Sequence, residues 1–401
     1  MITSIGTYLP TWGSAMSRQV GLDEDAVTLG VAAGLGALAG GDVSTVRRVV
    51  FVSRDLPLLE GGNAAPLLAG LGLPHTLEVR EQIGGAPAAL DAVLAAADGT
   101  LVIAADIQQP AGAAAVLCGA HGVAAELAGR VVRNMPVATR DAYGNRSDYA
   151  DPRLLRVRGV GASLDEQGIG DRFTAVAGLG AKDAASLFEG APDMPPTTGA
   201  SSALFALAAL AESGQGGRLL AVDQAAVTTA SIDAGSVPVS RDQPKPQPLP
   251  KGNFTEGPSI SIALPAYDRA FDAKLRLEAA KCRTCGTLAY PHRYRCLECG
   301  AEDVDTDIVP LPRDAVIYSL STIRVPVPGL TIPYTVVIAE MGDSGVRLLV
   351  KLTGAPPASV AIGDQGRMVF RLVTVRSGVP DYGYAFYPVS ADLSTTGEVA
   401  K

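Results

Sequence analysis

Along the first 235 residues, apolar positions come in short unbroken runs rather than in strict alternation. Arg47–Arg54 (RRVVFVSR), Thr100–Ala105 (TLVIAA), Ala113–Leu117 and Arg218–Val222 read as strands, while Gly84–Ala97 and Ser201–Glu212 read as helices. A strand that is apolar on both faces needs cover on both faces. Such strands alternating with helices therefore predict a layered α/β domain over residues 1–235.

The pattern changes at Ser236. Residues 236–265 read as a linker, because Arg241–Lys251 (RDQPKPQPLPK) holds four prolines and no apolar period. Tyr267–Ala280 then reads as a helix leading into a cysteine-rich segment, so that 266–308 forms a unit of its own. Over 309–390 the alternation becomes that of strands: Ala315–Val325, Tyr334–Met341, Val346–Leu352 and Arg367–Arg376. The turn signals Pro328-Gly329, Gly342-Asp343 and Gly363-Asp364 separate them. Four or five strands in so short a stretch predict a small Greek-key barrel, followed by a tail at 391–401.

Composition narrows the function. A chain of 401 residues has room for two or three domains. Its net charge of −8 and pI near 5.0 argue against a surface that tracks phosphates, and the basic and aromatic residues of a nucleic-acid-binding barrel are sparse. The start, Met-Ile-Thr-Ser-Ile-Gly-Thr-Tyr-Leu-Pro, is not a signal peptide. No apolar run approaches the roughly 20 residues of a membrane-spanning helix. These features predict a cytoplasmic protein with no membrane association.

Four of the five cysteines fall within eighteen residues. Cys282-x-x-Cys285 and Cys296-x-x-Cys299 are two knuckles, each followed by glycine, and two such turns complete a tetrahedral thiolate site for zinc. Four protein ligands leave no open position for water, so the predicted zinc is structural. His292 lies between the knuckles and supports the ribbon rather than ligating the metal.

The segments Lys281-Cys-Arg-Thr-Cys-Gly, Tyr290-Pro-His-Arg and Cys296-Leu-Glu-Cys-Gly, with the strands after them, resemble the OB-fold family with a rubredoxin-like zinc ribbon that accompanies thiolase-type enzymes. The resemblance spans about 274–388. It implies a module that docks on a condensing enzyme and shapes the passage for coenzyme A. The first 235 residues resemble the thiolase superfamily, in particular hydroxymethylglutaryl-CoA synthase-like members. Ile5-Gly-Thr-Tyr-Leu-Pro, Asp23–Leu29, Glu81–Leu90 (EQIGGAPAAL), Leu101–Asp106, Gly112–Leu117 and Thr197–Leu207 carry that likeness in order. Together they imply a thiolase-like layered domain, then a zinc ribbon and an OB-fold barrel, with a CoA thioester as substrate or ligand. They also imply a homodimer, or a hetero-complex with a thiolase-type enzyme.

The chemistry departs from the resemblance. The family's nucleophile is a cysteine at a helix N-terminus, where the dipole favours thiolate; here Ile83 takes that place. The family's acid falls at Arg54 or Asp55, and no histidine occurs between residues 122 and 291. The remaining catalytic candidates are Cys118, with His121 as its base, and Tyr143 and Tyr149 beside Asp148 in the polar stretch Arg140–Asp151. Against them stand a core cysteine and an ordinary pocket-lining loop. Two functions follow. One is an acyl-CoA transferase or carbon–carbon bond enzyme working from a non-standard residue set or a partner's site. The other is a non-catalytic subunit that binds acyl-CoA and scaffolds an intact thiolase-type partner.

Overall fold

The computed structural model describes residues 1–389 except 134, 136–137, 142–144, 149–150, 169, 171, 191–192, 259–260 and 303–305. A six-stranded mixed sheet forms the first half of the α/β domain. Its spatial order is Val239–Asp242, Ile2–Tyr8, Gly112–Cys118, Thr100–Asp106, Arg48–Val52 and Glu78–Gln82. A second sheet holds Ala175–Ala177, Gly217–Asp223, Ala226–Ile232 and Ala125–Val131, in that order.

Side-chain alternation along the central strands builds the layers. Val49, Phe51, Leu101, Ile103 and Ala115 face one way, onto helices Ala26–Ala39 and Ala64–Leu71. Val50, Val52, Val102, Ala104 and Val116 face the other way, onto helices Ala86–Leu94 and Ser201–Ser213. These two helices are covered in turn by Leu219, Ala221 and Ala230 of the second sheet. The far face of that sheet, Val176, Leu220, Val222 and Val227, packs on Val160, Leu164 and Phe188. The result is helix–sheet–helix–sheet–helix, the layered α/β class read from the strand pattern.

Helix Ala26–Ala39 escaped the periodicity because it is apolar nearly all round, being buried on two sides. Asp25 starts it with a capping box: Thr28 N–H donates to Asp25 Oδ1 at 2.9 Å, and Asp25 N–H donates to Thr28 Oγ1 at 2.8 Å.

The proline-rich segment is less free than its composition suggests. Val239–Asp242 runs parallel to Ile2–Tyr8 as an edge strand, inside the stretch read as linker. Gln247 N–H then donates to Thr11 O, and Gly13 N–H to Gln247 O, which pins the prolines to the N-terminal hairpin. The following helix spans Leu264–Arg276, starting three residues and ending four residues before the expected Tyr267–Ala280. Leu277 ends it in the left-handed region, at φ 57, and Glu278–Cys282 continues as a strand between Leu288–Ala289 and Thr306–Pro310.

The C-terminal sheet runs Arg347–Lys351, Tyr334–Met341, Asp314–Ile323, Gln365–Arg376 and Val379–Pro388. A bridge between Leu352 and Phe386 closes it into a barrel. The strand Val379–Pro388 was missed because it is buried on both sides and so shows no alternation. One apolar core joins the outer helix layer, the barrel (Met368, Phe370, Tyr382, Phe386) and the root of the cysteine lobe (Leu277, Ala279, Leu311). Gly70 is the point of closest approach, since a Cβ there would stand 2.8 Å from Val31 and 3.2 Å from Phe370.

Candidate functional site

The four knuckle cysteines converge: their sulfurs all lie within 4.8 Å of one another. Cys282 Sγ and Cys299 Sγ are 3.6 Å apart, and Cys285 Sγ and Cys296 Sγ 3.5 Å. A tetrahedron with metal–sulfur bonds of about 2.3 Å has edges of about 3.8 Å, so the cage has the size of a bound ion. Each knuckle closes on itself, with Gly286 N–H donating to Cys282 O at 2.8 Å and Gly300 N–H to Cys296 O at 3.0 Å. Both glycines sit at positive φ, 78 and 74, where a side chain would strain the turn.

The donor set also asks for a cation. The Thr287 hydroxyl and N–H hold the Cys285 thiol down at about 6. Against the lowering effect of the Ala301 N–H, the neighbouring Cys285, Cys282 and Cys296 thiols push the Cys299 thiol up to about 12. Four sulfurs this close cannot all ionise without a metal to share. The lobe is a metal-binding ribbon.

The position that the sequence resemblance leads one to expect for a nucleophile lies at the start of the central helix Ala86–Leu94. Ile83 is there and is 63 % exposed. Arg54 and Asp223 form an ion pair beside the same helix end. A Cβ on Gly85 would stand 2.5 Å from Asp223 Oδ2 and 2.6 Å from Arg54 Nη2, so glycine is what lets this pair lie over the helix N-terminus. Asp55 is taken up by Arg140 at 2.7 Å. The companion helix Ser201–Ser213 is capped from inside by Asp106, which accepts from Ala200 N–H, Ser201 N–H and Ser201 Oγ at 2.8, 2.8 and 2.6 Å. Burial raises the pKa of Asp106, and those three donors counter it. Both inner helix ends are thus closed by the chain's own carboxylates and arginine, and no thiol, histidine or free base faces them among the described residues.

The other candidates fare differently. Cys118 ends a core strand, 2 % exposed, and burial pushes its thiol up to about 12. A thiol so placed is protonated at neutral pH and shielded from substrate, which is the behaviour of a core residue. His121, like His75 and His292, is exposed. Tyr143 and Tyr149 lie outside the described residues; Arg146–Asp148 pairs as a short strand with Ala138–Arg140.

Sequence reasoning missed the polar seam between the α/β domain and the barrel. Glu24 accepts from Tyr8 Oη in a short hydrogen bond and from Gly21 N–H at 2.7 Å. Arg371 of the barrel lies 3.2 Å from Glu24 and donates to Tyr8 Oη at 2.9 Å. Next to it, Tyr382 Oη donates to Asp25 Oδ2 at 2.7 Å. Burial raises the pKa of Glu24, and the Arg371 charge opposes that rise. The sequence signals were the acidic triplet Asp23-Glu24-Asp25 ahead of an apolar helix and a lone arginine in Phe370-Arg371-Leu372.

Fold and site define a layered α/β protein that carries a four-cysteine metal ribbon and a small barrel on one shared core. The ribbon matches the family model of the ChsH2 rubredoxin-like zinc ribbon domain over residues 272–305, and the barrel that of the ChsH2 C-terminal OB-fold domain over 308–371. A DUF35 domain-containing scaffold protein of Methanothermobacter thermautotrophicus is 32 % identical over 124 residues, which are 30 % of this chain and 92 % of that relative. The chain belongs to this DUF35 family. Benzoylsuccinyl-CoA thiolase subunit BbsA of Thauera aromatica is 28 % identical over 149 residues, 37 % of this chain and 98 % of that subunit. Among solved structures, 3-oxoacyl-(acyl carrier protein) synthase III of Pseudomonas aeruginosa PAO1 is 16 % identical, covering 59 % of this chain and 98 % of that one, with a TM-score of 0.44. No helix among the described residues is long and apolar enough to cross a membrane.

Proposed function

We propose that this chain is an acyl-CoA-handling protein of the thiolase and hydroxymethylglutaryl-CoA synthase type, taking part in carbon–carbon bond formation or cleavage on acyl-CoA thioesters. One observation carries the reading. The ribbon and barrel are joined here by a continuous core to a layered α/β domain, in a chain of which 37 % resembles a thiolase subunit of Thauera aromatica. Such a weld would fix a thioester passage relative to that domain. Zinc is the proposed metal at Cys282, Cys285, Cys296 and Cys299, since four thiolates at tetrahedral spacing suit it, and its role is structural. Cysteines that ligate a metal rather than pair as disulfides fit the reducing cytoplasm.

A second reading has its own support: the chain binds acyl-CoA without catalysis and positions an intact thiolase-type partner. Ile83 at the helix end and the Arg54–Asp223 pair over it favour this reading, because acyl transfer through cysteine needs a thiolate and a proton shuttle. Edge strand Glu78–Gln82 offers a place for a homodimer or a hetero-complex to pair sheet to sheet.

The test is turnover of acetyl-CoA and acetoacetyl-CoA, with CoA release followed by thiol titration. The purified chain is assayed alone and then with a thiolase-type enzyme encoded nearby. Release only in the mixture, stimulated by this chain, is the expected result and selects the second reading. Release by the chain alone selects the first. Absence of both turnover and CoA-thioester binding overturns the proposal.

A further inference from the structure

Arg371 stands in the wall between two spaces at the seam. Its Nη2 faces Tyr8 and Glu24, as described. Its Nε is buried and makes no hydrogen bond among the described residues. Asp23 Oδ2 stands 3.9 Å from Nε, beyond hydrogen-bond reach. A buried N–H without an acceptor costs stability, so Nε is a weak point of the seam and not a donor that the cavity can reach.

Arg371 and Asp23 both line a cavity of about 350 Å³ whose remaining walls are largely apolar, among them Leu277, Leu348, Val350, Tyr384 and Ala385. A second cavity of about 300 Å³ shares Asp23, Lys351, Leu372 and Val373 with the first and extends to Trp12, Leu249 and Leu330. Lys351 therefore sits at the neck between them, and no ion pair holds it among the described residues. Lys274, on the wall of the first cavity, is neutralised by Asp381 at 2.6 Å. Arg371 is taken up by Glu24, which leaves Lys351 as the cation at the neck, beside the carboxylate of Asp23.

We propose that the paired cavities are a binding site for a medium-length acyl chain, whose oxygen end lies at Lys351 and whose tail lies along Leu372 and Val373 towards Trp12. The volumes fall in the range of small-molecule sites, and the chemistry is that of such sites: apolar walls with one or two placed polar groups. The same acyl group could arrive as a free carboxylate or as a thioester. The inference deepens the proposed function and rests on it for the thioester form; the geometry of the cavity stands without it.

The chain's single tryptophan, Trp12, is 7 % exposed and lines the second cavity, so its emission reports occupancy. The experiment titrates the full chain with octanoate, octanoyl-CoA, octan-1-ol and CoA, following Trp12 emission and heat. Saturable binding of octanoate, with octan-1-ol at least tenfold weaker, is the expected result. Val373→Phe fills the neck and should weaken octanoate at least tenfold while leaving circular dichroism and melting unchanged; Lys351→Met should weaken octanoate and leave octan-1-ol as it was. No response to octanoate or octanoyl-CoA, equal binding of octan-1-ol, or an unaffected V373F variant overturns the assignment. If CoA and octanoyl-CoA bind equally and V373F changes nothing, the cavity assignment fails and acyl-CoA handling survives. If octanoate binds and no CoA thioester does, the cavity stands and the acyl-CoA reading fails.

Discussion

Arg371 in the barrel and Glu24 in the α/β domain meet 3.2 Å apart, each side chain only 4 % exposed. Glu24 lies in the loop that leads into the capping box of helix Ala26–Ala39, and Arg371 lies in a strand whose neighbour Leu372 donates its N–H to Asp23 O at 2.9 Å. The two folding units are therefore fastened by charge and backbone as well as by the apolar core.

Breaking that pair from one side should be costly. Removing a single partner of a buried, hydrogen-bonded ion pair typically costs about 3–5 kcal/mol, because the other charge is left uncompensated. Arg371→Met is expected to lower unfolding free energy in urea by about that much, and the Glu24→Gln/Arg371→Met double variant should recover part of it. A single-variant loss below about 1 kcal/mol would remove the seam from the list of structural determinants.

Metal removal should act on the same core. Cys285→Ser is expected to abolish stoichiometric metal, measured by elemental analysis, and to lower the melting temperature, because Ala279 and Leu311 at the root of the ribbon belong to the shared core. Cys118→Ser should keep the metal in full. Unchanged melting after chelation would show that the ribbon is not tied to the core.

Restoring a cysteine at the helix end should not restore catalysis. An Ile83→Cys thiol would be exposed enough to alkylate readily, yet Arg54, Asp223 and Asp106 near it are already engaged and no free base faces this helix end among the described residues. CoA release from acetoacetyl-CoA is expected to stay at the parent level. Turnover by I83C alone would mean that the remaining machinery is intact.

Asp106 should make stability depend on pH in an unusual direction. Burial raises its folded pKa above the ordinary aspartate value of 3.8. A carboxyl with a raised folded pKa contributes fully below the unfolded value, and that contribution is lost as pH climbs from about 3.8 through the folded value. Melting temperatures of the parent relative to Asp106→Asn are therefore expected to fall as pH rises across that window. A difference that is flat, or that grows with pH, would contradict burial as the dominant influence on this group.

Much of the metal site was legible in the chain because its residues are local: Cys282, Cys285, Cys296 and Cys299 occupy one short segment, and the knuckle geometry follows from Cys-x-x-Cys-Gly. The central strands were legible because burial on both faces leaves an apolar run. Strand Val379–Pro388 and helix Ala26–Ala39 were not, since elements enclosed on all sides lose the periodicity that names them. The edge strand Val239–Asp242 was hidden by the prolines that follow it.

By itself, then, the sequence determined the kinds of layer and the position of the ribbon. Tertiary structure decided the rest. Tyr8, Glu24 and Arg371 are brought together across 363 residues of chain, and Arg54 meets Asp223 across 169. No local pattern records such partners, because a charge is buried or exposed only according to what the rest of the fold lays against it.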